Sequence, residues 1–220
     1  MNKNASLILN LLATLSLIAF GFMLVHIIAL PVNSSGSTFD IAVLKFAGSL
    51  RSDTLNIIFK FITNLGSTAF LVAAAAVLVL VPKLRHVYGF AVVLPLAAAS
   101  LCNTAFKHLI VRSRPQVIPQ LVSEHTFSFP SGHTTSSMVF YLLLAYYTCK
   151  LIEEQKNRTL KFVLKVLFAI FLILPFLIAS SRIYLGVHYP SDVIAGIFLA
   201  TFFVLSAISF APYTRFLQKY

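Results

Sequence analysis

Residues 6–30 read SLILNLLATLSLIAFGFMLVHIIAL, an apolar stretch that contains no Asp, Glu, Lys or Arg. A helix of roughly 20 apolar residues is long enough to cross the hydrocarbon core of a bilayer. The stretch is longer than the apolar region of a secretory signal peptide, and no convincing small-residue cleavage site follows it. We therefore predict that residues 6–30 form a retained first transmembrane helix.

The composition of the whole chain agrees with a membrane location. Of the 220 residues, 59% are hydrophobic and only 10% are charged, which excludes an ordinary soluble globular domain. A net charge of +11 would suggest nucleic acid as the partner of a soluble domain, but in a membrane protein the basic residues set orientation instead. The two cysteines, Cys102 and Cys149, lie in apolar runs without metal-ligand spacing. We predict no nucleic-acid partner, cofactor or metal.

Apolar segments divide the rest of the chain into five further predicted spans. These are residues 67–82, residues 87–106, a segment centred on residues 135–147, residues 162–179 and residues 191–211. A basic turn at 83–86, a polar loop at 150–161 and a short tail at 213–220 are predicted between and after them. The predicted fold is an all-α integral membrane bundle of six transmembrane helices, forming a single domain over residues 1–220.

Two short amphipathic helices are predicted between the first and second spans. After a turn over Pro31–Thr38, they cover Phe39–Leu50 and Thr54–Leu65. Neither is long or apolar enough to span a bilayer, so both are expected to lie at the interface. They either border the opening through which a lipid head group reaches the site or serve only as a connector.

The distribution of Lys and Arg predicts the orientation of the six spans. Outside the motifs described below, ten basic residues fall on the side of the two termini and four on the other side. Because basic residues favour the cytoplasmic side, both termini are expected to be cytoplasmic. The three motifs then face the extracytoplasmic side of the cell membrane.

Three polar clusters interrupt the apolar sequence between residues 107 and 192. They are Lys107 with Arg114-Pro115, then Pro130-Ser131-Gly132-His133, and finally Ser181-Arg182 with His188 and Asp192. Together they supply three cations, two imidazoles and a carboxylate. Cations placed where negative charge collects are what phosphoryl transfer requires of a protein.

The first cluster offers two cations for a phosphate group. Lys107 and Arg114 are two helical turns apart and would share a face if the segment is helical. Arginine can bind two phosphate oxygens, and lysine supplies a mobile point charge. Alternatively, both side chains only extend to the interface from a helix end.

The second cluster precedes the fourth span. Gly132 allows close approach of a ligand to the backbone, and the first N–H groups of a helix point outward at an anion. Ser131 could instead be an ordinary N-cap, and both roles are compatible. His133 is a candidate general acid for the leaving oxygen.

The third cluster places a histidine next to a carboxylate. Pro190 favours a loop position for His188 and the first turn of the sixth helix for Asp192. A hydrogen bond from one imidazole nitrogen to Asp192 would leave the other nitrogen free to attack phosphorus. The alternative is that Asp192 caps the helix and His188 is an interfacial residue.

The spacing of the three clusters resembles the type 2 phosphatidic acid phosphatase family. The matching identities are Lys107, Arg114, Pro115, Pro130, Ser131, Gly132, His133, Ser181, Arg182, His188 and Asp192. The resemblance implies a six-span fold, His188 as phosphorylated nucleophile, Asp192 as its orienting partner and His133 as proton donor. It also implies that phosphate is bound by Lys107, Arg114, Ser131, Gly132 and Arg182.

The resulting prediction is a metal-independent lipid-phosphate phosphatase of the membrane. The resemblance implies phosphatidylglycerol phosphate or undecaprenyl diphosphate as substrate, with phosphatidic acid as a further candidate. Two rivals remain: a lipid phosphotransferase with the same phosphohistidine, and a transporter, which is disfavoured because the spans are almost free of charge. Arg112 and Glu124 are candidate head-group contacts. The sequence does not predict the oligomeric state.

Overall fold

The computed structural model of the chain describes residues 3–30 and 36–210, and every regular element in these residues is a helix. The helices are α1 Lys3–Ile28, α2 Thr38–Ser49, α3 Asp53–Asn64, α4 Thr68–Leu80, α5 Pro82–Val87, α6 Gly89–Ile110, α7 Gly132–Glu154, α8 Arg158–Tyr184 and α9 Pro190–Phe210. The prediction of an all-α fold is confirmed. The predicted tail at 213–220 and residues 31–35 of the predicted turn lie outside the described residues.

Five of these helices, α1, α6, α7, α8 and α9, are long and apolar enough to cross a membrane. α4 has only 13 residues, about 20 Å of helix, which is shorter than a hydrocarbon core of about 30 Å. α3 joins α4 at a bend of 44°, and the pair qualifies together as a sixth candidate span. The span predicted at residues 67–82 therefore reaches its full length only together with α3.

Two segments that the sequence predicts as a loop and a turn are largely helical in the structure. The prediction of a loop over all of residues 150–161 is wrong, because α7 continues to Glu154 and α8 begins at Arg158. Asn157 caps α8 by accepting a hydrogen bond from the N–H of Leu160 at 3.0 Å. The predicted basic turn at 83–86 lies within the short helix α5. Charged residues lower the hydropathy of a segment, but most of them do not end a helix.

The three motifs all lie at the same end of the bundle. α6 and α8 finish, and α7 and α9 begin, at the end that carries the three motifs, which we call the site end. At the opposite end, the hydroxyls of Ser6 on α1 and Ser209 on α9 lie 3.0 Å apart. All three motifs are thus brought to one end of the bundle by four different helix termini.

α7 is the central helix of the bundle. It packs against α6, α8 and α9, and its Val139 and Leu143 are fully buried. In contrast, α1 and α8 expose large apolar side chains such as Phe22 and Phe162 on their outer faces. Exposed apolar side chains on long helices are expected where lipid replaces water as the surrounding solvent.

The loop between α8 and α9 is fixed by a glycine and an arginine. Gly186 has a φ of 76°, in the left-handed region that favours glycine. Arg51, which follows α2, donates hydrogen bonds to the carbonyl oxygens of Tyr184 at 2.8 Å and Pro119 at 2.8 Å. This loop carries His188, so its backbone conformation sets the position of the imidazole.

We expect Gly186→Ala to lower the free energy of unfolding by about 1–2 kcal/mol, because a Cβ is unfavourable in the left-handed region. The new Cβ would also lie 3.0 Å from the carbonyl oxygen of Pro119. Thermal unfolding in detergent measures the effect. Gly21→Ala on α1 is the matched control, because a Cβ there meets no atom within 4 Å. Equal melting temperatures for the two variants would contradict the prediction.

Candidate active site

A cavity of about 670 Å³ lies between α4, α6, α7 and the segment that connects α6 to α7. Five of the predicted site residues line it, namely Lys107, Arg114, Gly132, His133 and His188. The other three lie directly behind this lining: Asp192 contacts His188, Arg182 contacts the lining residue Glu124, and Ser131 precedes Gly132. The three motifs are separate in sequence and form one site in the structure.

Lys107 and Arg114 reach the cavity from different backbone conformations. Lys107 lies in the last turn of α6, which ends at Ile110, and Arg114 lies in the irregular segment that follows. The two residues therefore do not share a helical face, as they would in a continuous helix. Their side chains converge because both donate hydrogen bonds to the carbonyl oxygen of Phe127.

The hydrogen bonds of His188 define its tautomer. Nη1 of Arg114 lies 3.1 Å from Nε2 of His188, and a guanidinium can only donate, so Nε2 is the acceptor. The ring proton is then on Nδ1, which lies 3.4 Å from Oδ2 of Asp192. This arrangement leaves a lone pair on the nitrogen that faces the cations of the cavity.

Asp192 is fully buried, and donors from three segments hold its carboxylate. Oδ2 accepts the hydroxyl of Ser128 at 2.5 Å and the backbone N–H of Tyr189 at 2.9 Å. Oδ1 accepts Nη1 of Arg112 at 2.5 Å. Asp192 lies in the first turn of α9, as predicted. Its orientation is therefore fixed independently of His188.

Two of these partners were not assigned this role from the sequence. Ser128 belongs to no recognisable motif, and no spacing pattern could have identified it. Arg112, a candidate head-group contact by sequence, is not among the residues that line this cavity, and its guanidinium contacts Asp192, Ser191 and Asp40.

Arg182 is a buried cation, and one of its three donor nitrogens has no hydrogen-bond partner among the described residues. Its side chain is 1% exposed; Nη1 donates to Thr63 on α3 at 2.6 Å, and Nη2 donates to Glu124. Among the buried side-chain atoms of the described residues, Nε of Arg182 has no hydrogen-bond partner. A buried donor without a partner is costly, so this atom is suited to an anionic ligand.

Glu124 brings a carboxylate next to two of the cations predicted to bind phosphate. Besides Arg182, it pairs with Nη2 of Arg114 at 3.6 Å, and it lines the cavity. Burial alone would raise the pKa of Glu124, but the charges of Arg182, His133 and Arg114 together lower it. Glu124 is therefore ionised and balances part of the positive charge of Arg114 and Arg182. Glu124 lies at the cavity, and its contact with a head group stays a prediction.

The second motif forms the turn that begins α7. Ser131 does not cap the helix with its side chain; its hydroxyl accepts a hydrogen bond from Thr134 at 2.9 Å. The amide of Asn103 holds the turn by donating to Thr135 at 3.1 Å. A Cβ on Gly132 would lie 3.3 Å from the Asn103 side chain, so glycine lets α6 and α7 approach closely here.

Burial controls the charge of the predicted nucleophile. Desolvation lowers the pKa of His188 to about 3, and the hydrogen bond to Asp192 only partly opposes this shift. The lowered pKa means that the native state resists protonation, whereas an unfolded histidine accepts a proton near pH 6.5. Stability contributed by the neutral ring is therefore lost as the pH falls below about 6.5.

We expect His188 to remain uncharged at pH 5 in the ligand-free protein. NMR of protein labelled at the histidine rings measures this, with the spectrum of His188→Gln assigning the signal. His188 should show no titration between pH 5 and pH 8. A titration midpoint near 6.5 for His188 would show that the ring is hydrated and not buried.

Known proteins match this chain over most of its length. A profile of the PAP2 superfamily matches residues 88–216. Phosphatidylglycerophosphatase B from Bacillus subtilis is 31% identical over 208 residues, covering 91% of this chain and 97% of the relative. An undecaprenyl-diphosphatase from Sulfolobus acidocaldarius is 26% identical over 165 residues, covering 72% of this chain and 71% of the relative.

Solved structures show the same fold. The crystal structure of a transmembrane PAP2-type phosphatidylglycerolphosphate phosphatase from Bacillus subtilis superposes with a TM-score of 0.72 at 30% identity, covering 89% of this chain and 94% of that one. LpxE from Aquifex aeolicus superposes with a TM-score of 0.58 at 20% identity, covering 76% and 93%, and this likeness concerns the fold alone. The profile match, the 31% identity and the convergence of the three motifs lead to one conclusion: the chain belongs to the PAP2 superfamily.

Proposed function

We propose that the protein is an integral membrane lipid-phosphate phosphatase that works through a phosphohistidine on His188. The observation that carries this proposal is the hydrogen-bonding state of the imidazole. Its Nδ1–H points to the buried Asp192, and Nε2 carries a lone pair beside Arg114 at the wall of the cavity. A neutral imidazole held in this tautomer is a nucleophile ready to attack phosphorus.

Phosphate is bound by cations that surround this nitrogen. Lys107 and Arg114 line the cavity, and Arg182 offers its unpartnered Nε–H from behind Glu124. Gly132 at the start of α7 exposes backbone N–H groups, and Ser131 sets the turn that presents them. Binding of phosphate requires Arg114 to exchange its hydrogen bond with His188 for one with a phosphate oxygen.

The reaction then has two balanced steps. In the first, Nε2 of His188 forms a bond to phosphorus, the bond from phosphorus to the lipid oxygen breaks, and His133, which enters as the imidazolium, gives a proton to that oxygen and becomes neutral. Asp192 stabilises the imidazolium through Nδ1–H. In the second step, water gives a proton to His133 and attacks phosphorus, the phosphorus–nitrogen bond breaks, and inorganic phosphate leaves.

The protein itself supplies the positive charge for this chemistry. Three of its cations face the bound phosphate, and within residues 3–30 and 36–210 no three His, Cys, Asp or Glu side chains form a metal-binding cluster. We therefore propose that hydrolysis is independent of a metal ion and of any cofactor.

The shape of the cavity supports a lipid as substrate. Beyond the polar groups around His188, the cavity continues between α4 and α6 along apolar side chains, which include Leu71, Val72, Ala75, Val93 and Leu96. A lipid tail fits this lining, because it requires apolar contacts along its whole length. We propose phosphatidylglycerol phosphate as the first candidate, since the relative with that name matches over nearly its full length, and undecaprenyl diphosphate and phosphatidic acid as further candidates.

Hydrolysis of these lipids by detergent-purified protein tests the proposal. We expect phosphate release that survives a chelator and falls by more than about 1,000-fold in His188→Ala, because loss of a nucleophile removes the covalent route. His86→Ala, which lies in α5 at the opposite end of the bundle, is the matched control and should retain activity. The intermediate should appear after base quenching as a labelled phosphoprotein that acid destroys.

Other outcomes would contradict specific parts of this proposal. Release that the His188→Ala variant retains would exclude His188 as the nucleophile, and release that a chelator abolishes would exclude a metal-independent reaction. Transfer of labelled phosphate to a second lipid, without release of free phosphate, would identify a phosphotransferase with the same intermediate.

We further propose that both termini are cytoplasmic and that the site end faces the extracytoplasmic side. The asymmetry of Lys and Arg between the two ends of the bundle supports this orientation. In a variant in which Cys102 and Cys149 are replaced by alanine, a cysteine at Asp53 should react in intact cells with a membrane-impermeant maleimide. A cysteine at Lys156 should react only after the membrane is opened. The reverse pattern would invert the orientation.

A further inference from the structure

A buried polar cluster outside the three motifs lies directly behind Asp192. Asp40 on α2 is fully buried; its Oδ1 accepts the backbone N–H of Ser191 at 2.9 Å, and its Oδ2 accepts the Ser191 hydroxyl at 2.8 Å. Nη2 of Arg112 donates to the same Oδ2 at 3.1 Å. Nη1 of Arg112 donates to Ser191 at 2.8 Å and to Asp192 at 2.5 Å.

One guanidinium therefore serves two buried carboxylates. An ionised carboxylate is costly to bury unless it is paired and hydrogen-bonded, and Asp40 and Asp192 both meet this requirement through Arg112. Removal of Arg112 would leave two buried like charges without the cation that pairs with both of them. Removal of the Asp40 charge would take away the only acceptor shown for Nη2 of Arg112 within the described residues, and Nη1 alone would then hold the guanidinium, through Ser191 and Asp192.

The backbone before Arg112 is held in an unfavourable conformation. Val111 ends α6 with a φ of 53°, and a β-branched residue is rarely found in the left-handed region. This turn directs Arg112 towards α9, where its guanidinium also lies 4.0 Å from the ring centre of Tyr189. Local strain of this kind persists where the surrounding structure stabilises it, often at functional sites.

From these contacts we infer that Asp40 and Arg112 are positioning residues that act on His188 through Asp192. The inference rests on the proposed function, in which Asp192 orients the nucleophile. Arg112 fixes Oδ1 of Asp192, and this fixes the direction in which Oδ2 receives the Nδ1–H of His188. Asp40 fixes Arg112 in turn, so α2 contributes to the site although none of its residues lines the cavity.

A purely structural role for Asp40 makes a different prediction. Asp40 also forms a capping box with Ser37 at the start of α2. If Asp40 served only to cap α2 and attach it to α9, its loss would lower stability and leave the turnover of the folded protein unchanged. A measurement of kcat on folded protein therefore distinguishes the two roles, whereas a measurement of stability does not.

We expect Asp40→Asn to lower kcat for a lipid phosphate by about 10- to 100-fold, because small errors in the orientation of reacting groups are costly. KM should change by less than about twofold, since Asp40 does not contact the cavity. Asp53→Asn is the matched control: Asp53 lies in the first turn of the neighbouring helix α3, is exposed, and should leave kcat unchanged. Gel filtration and thermal unfolding establish that each variant is folded.

A double-variant comparison tests whether Asp40 acts through Arg112. The kcat of Asp40→Asn with Arg112→Gln should lie within about twofold of Arg112→Gln alone, because residues that act as one unit are not additive. Independent, multiplicative losses would overturn the inference. If Asp40→Asn does not fold, Ser191→Ala removes one hydroxyl of the cluster and should lower kcat several-fold with KM unchanged.

The failure of this inference can be told apart from failure of the proposed function. Full turnover by Asp40→Asn or by folded Ser191→Ala beside an active wild-type protein would overturn the positioning role alone. A wild-type protein that releases phosphate from no lipid would overturn the proposed function, and the positioning role with it.

Discussion

The structure of the site depends on the burial of the Asp192 carboxylate at the start of α9. A carboxylate in this position is stabilised only if donors surround it, and here they come from the segment after α6, from the turn before α7 and from the loop before α9. The hydrogen bonds to this one buried carboxylate therefore hold four separate parts of the chain together. The orientation and the tautomer of His188 follow from this arrangement.

The charged side chains of the site form two separate groups of ion pairs. Arg112 pairs with the two carboxylates behind His188, whereas Lys107 and Arg114 line the cavity and Arg182 lies behind it, paired with Glu124. The two groups of charges are separated by the imidazole itself. Positive charge is thus concentrated where a phosphate would bind, and the negative charge that holds the imidazole proton lies on the other side of the ring.

The bundle explains why such a polar site can exist in so apolar a chain. The motifs lie at helix termini, where backbone groups and long side chains leave the apolar part of the bundle. The central helix α7 is buried by its neighbours, while α1 and α8 present apolar side chains outward. The bend between α3 and α4 brings Thr63 to Arg182 while α4 lines the apolar part of the cavity.

Hydropathy and residue identity alone predict five of the six spans and all of the motif residues, because both are local properties of the chain. Residues 6–30 and His188 with Asp192 are examples, since each could be recognised within a short segment. The folded chain is needed to show that Ser128 and Arg112 hold Asp192, that Asp40 lies behind them, and that α4 is long enough for a span only as a pair with α3. These contacts join residues far apart in the chain, and a buried charge selects its partners by distance in space, which residue spacing does not encode.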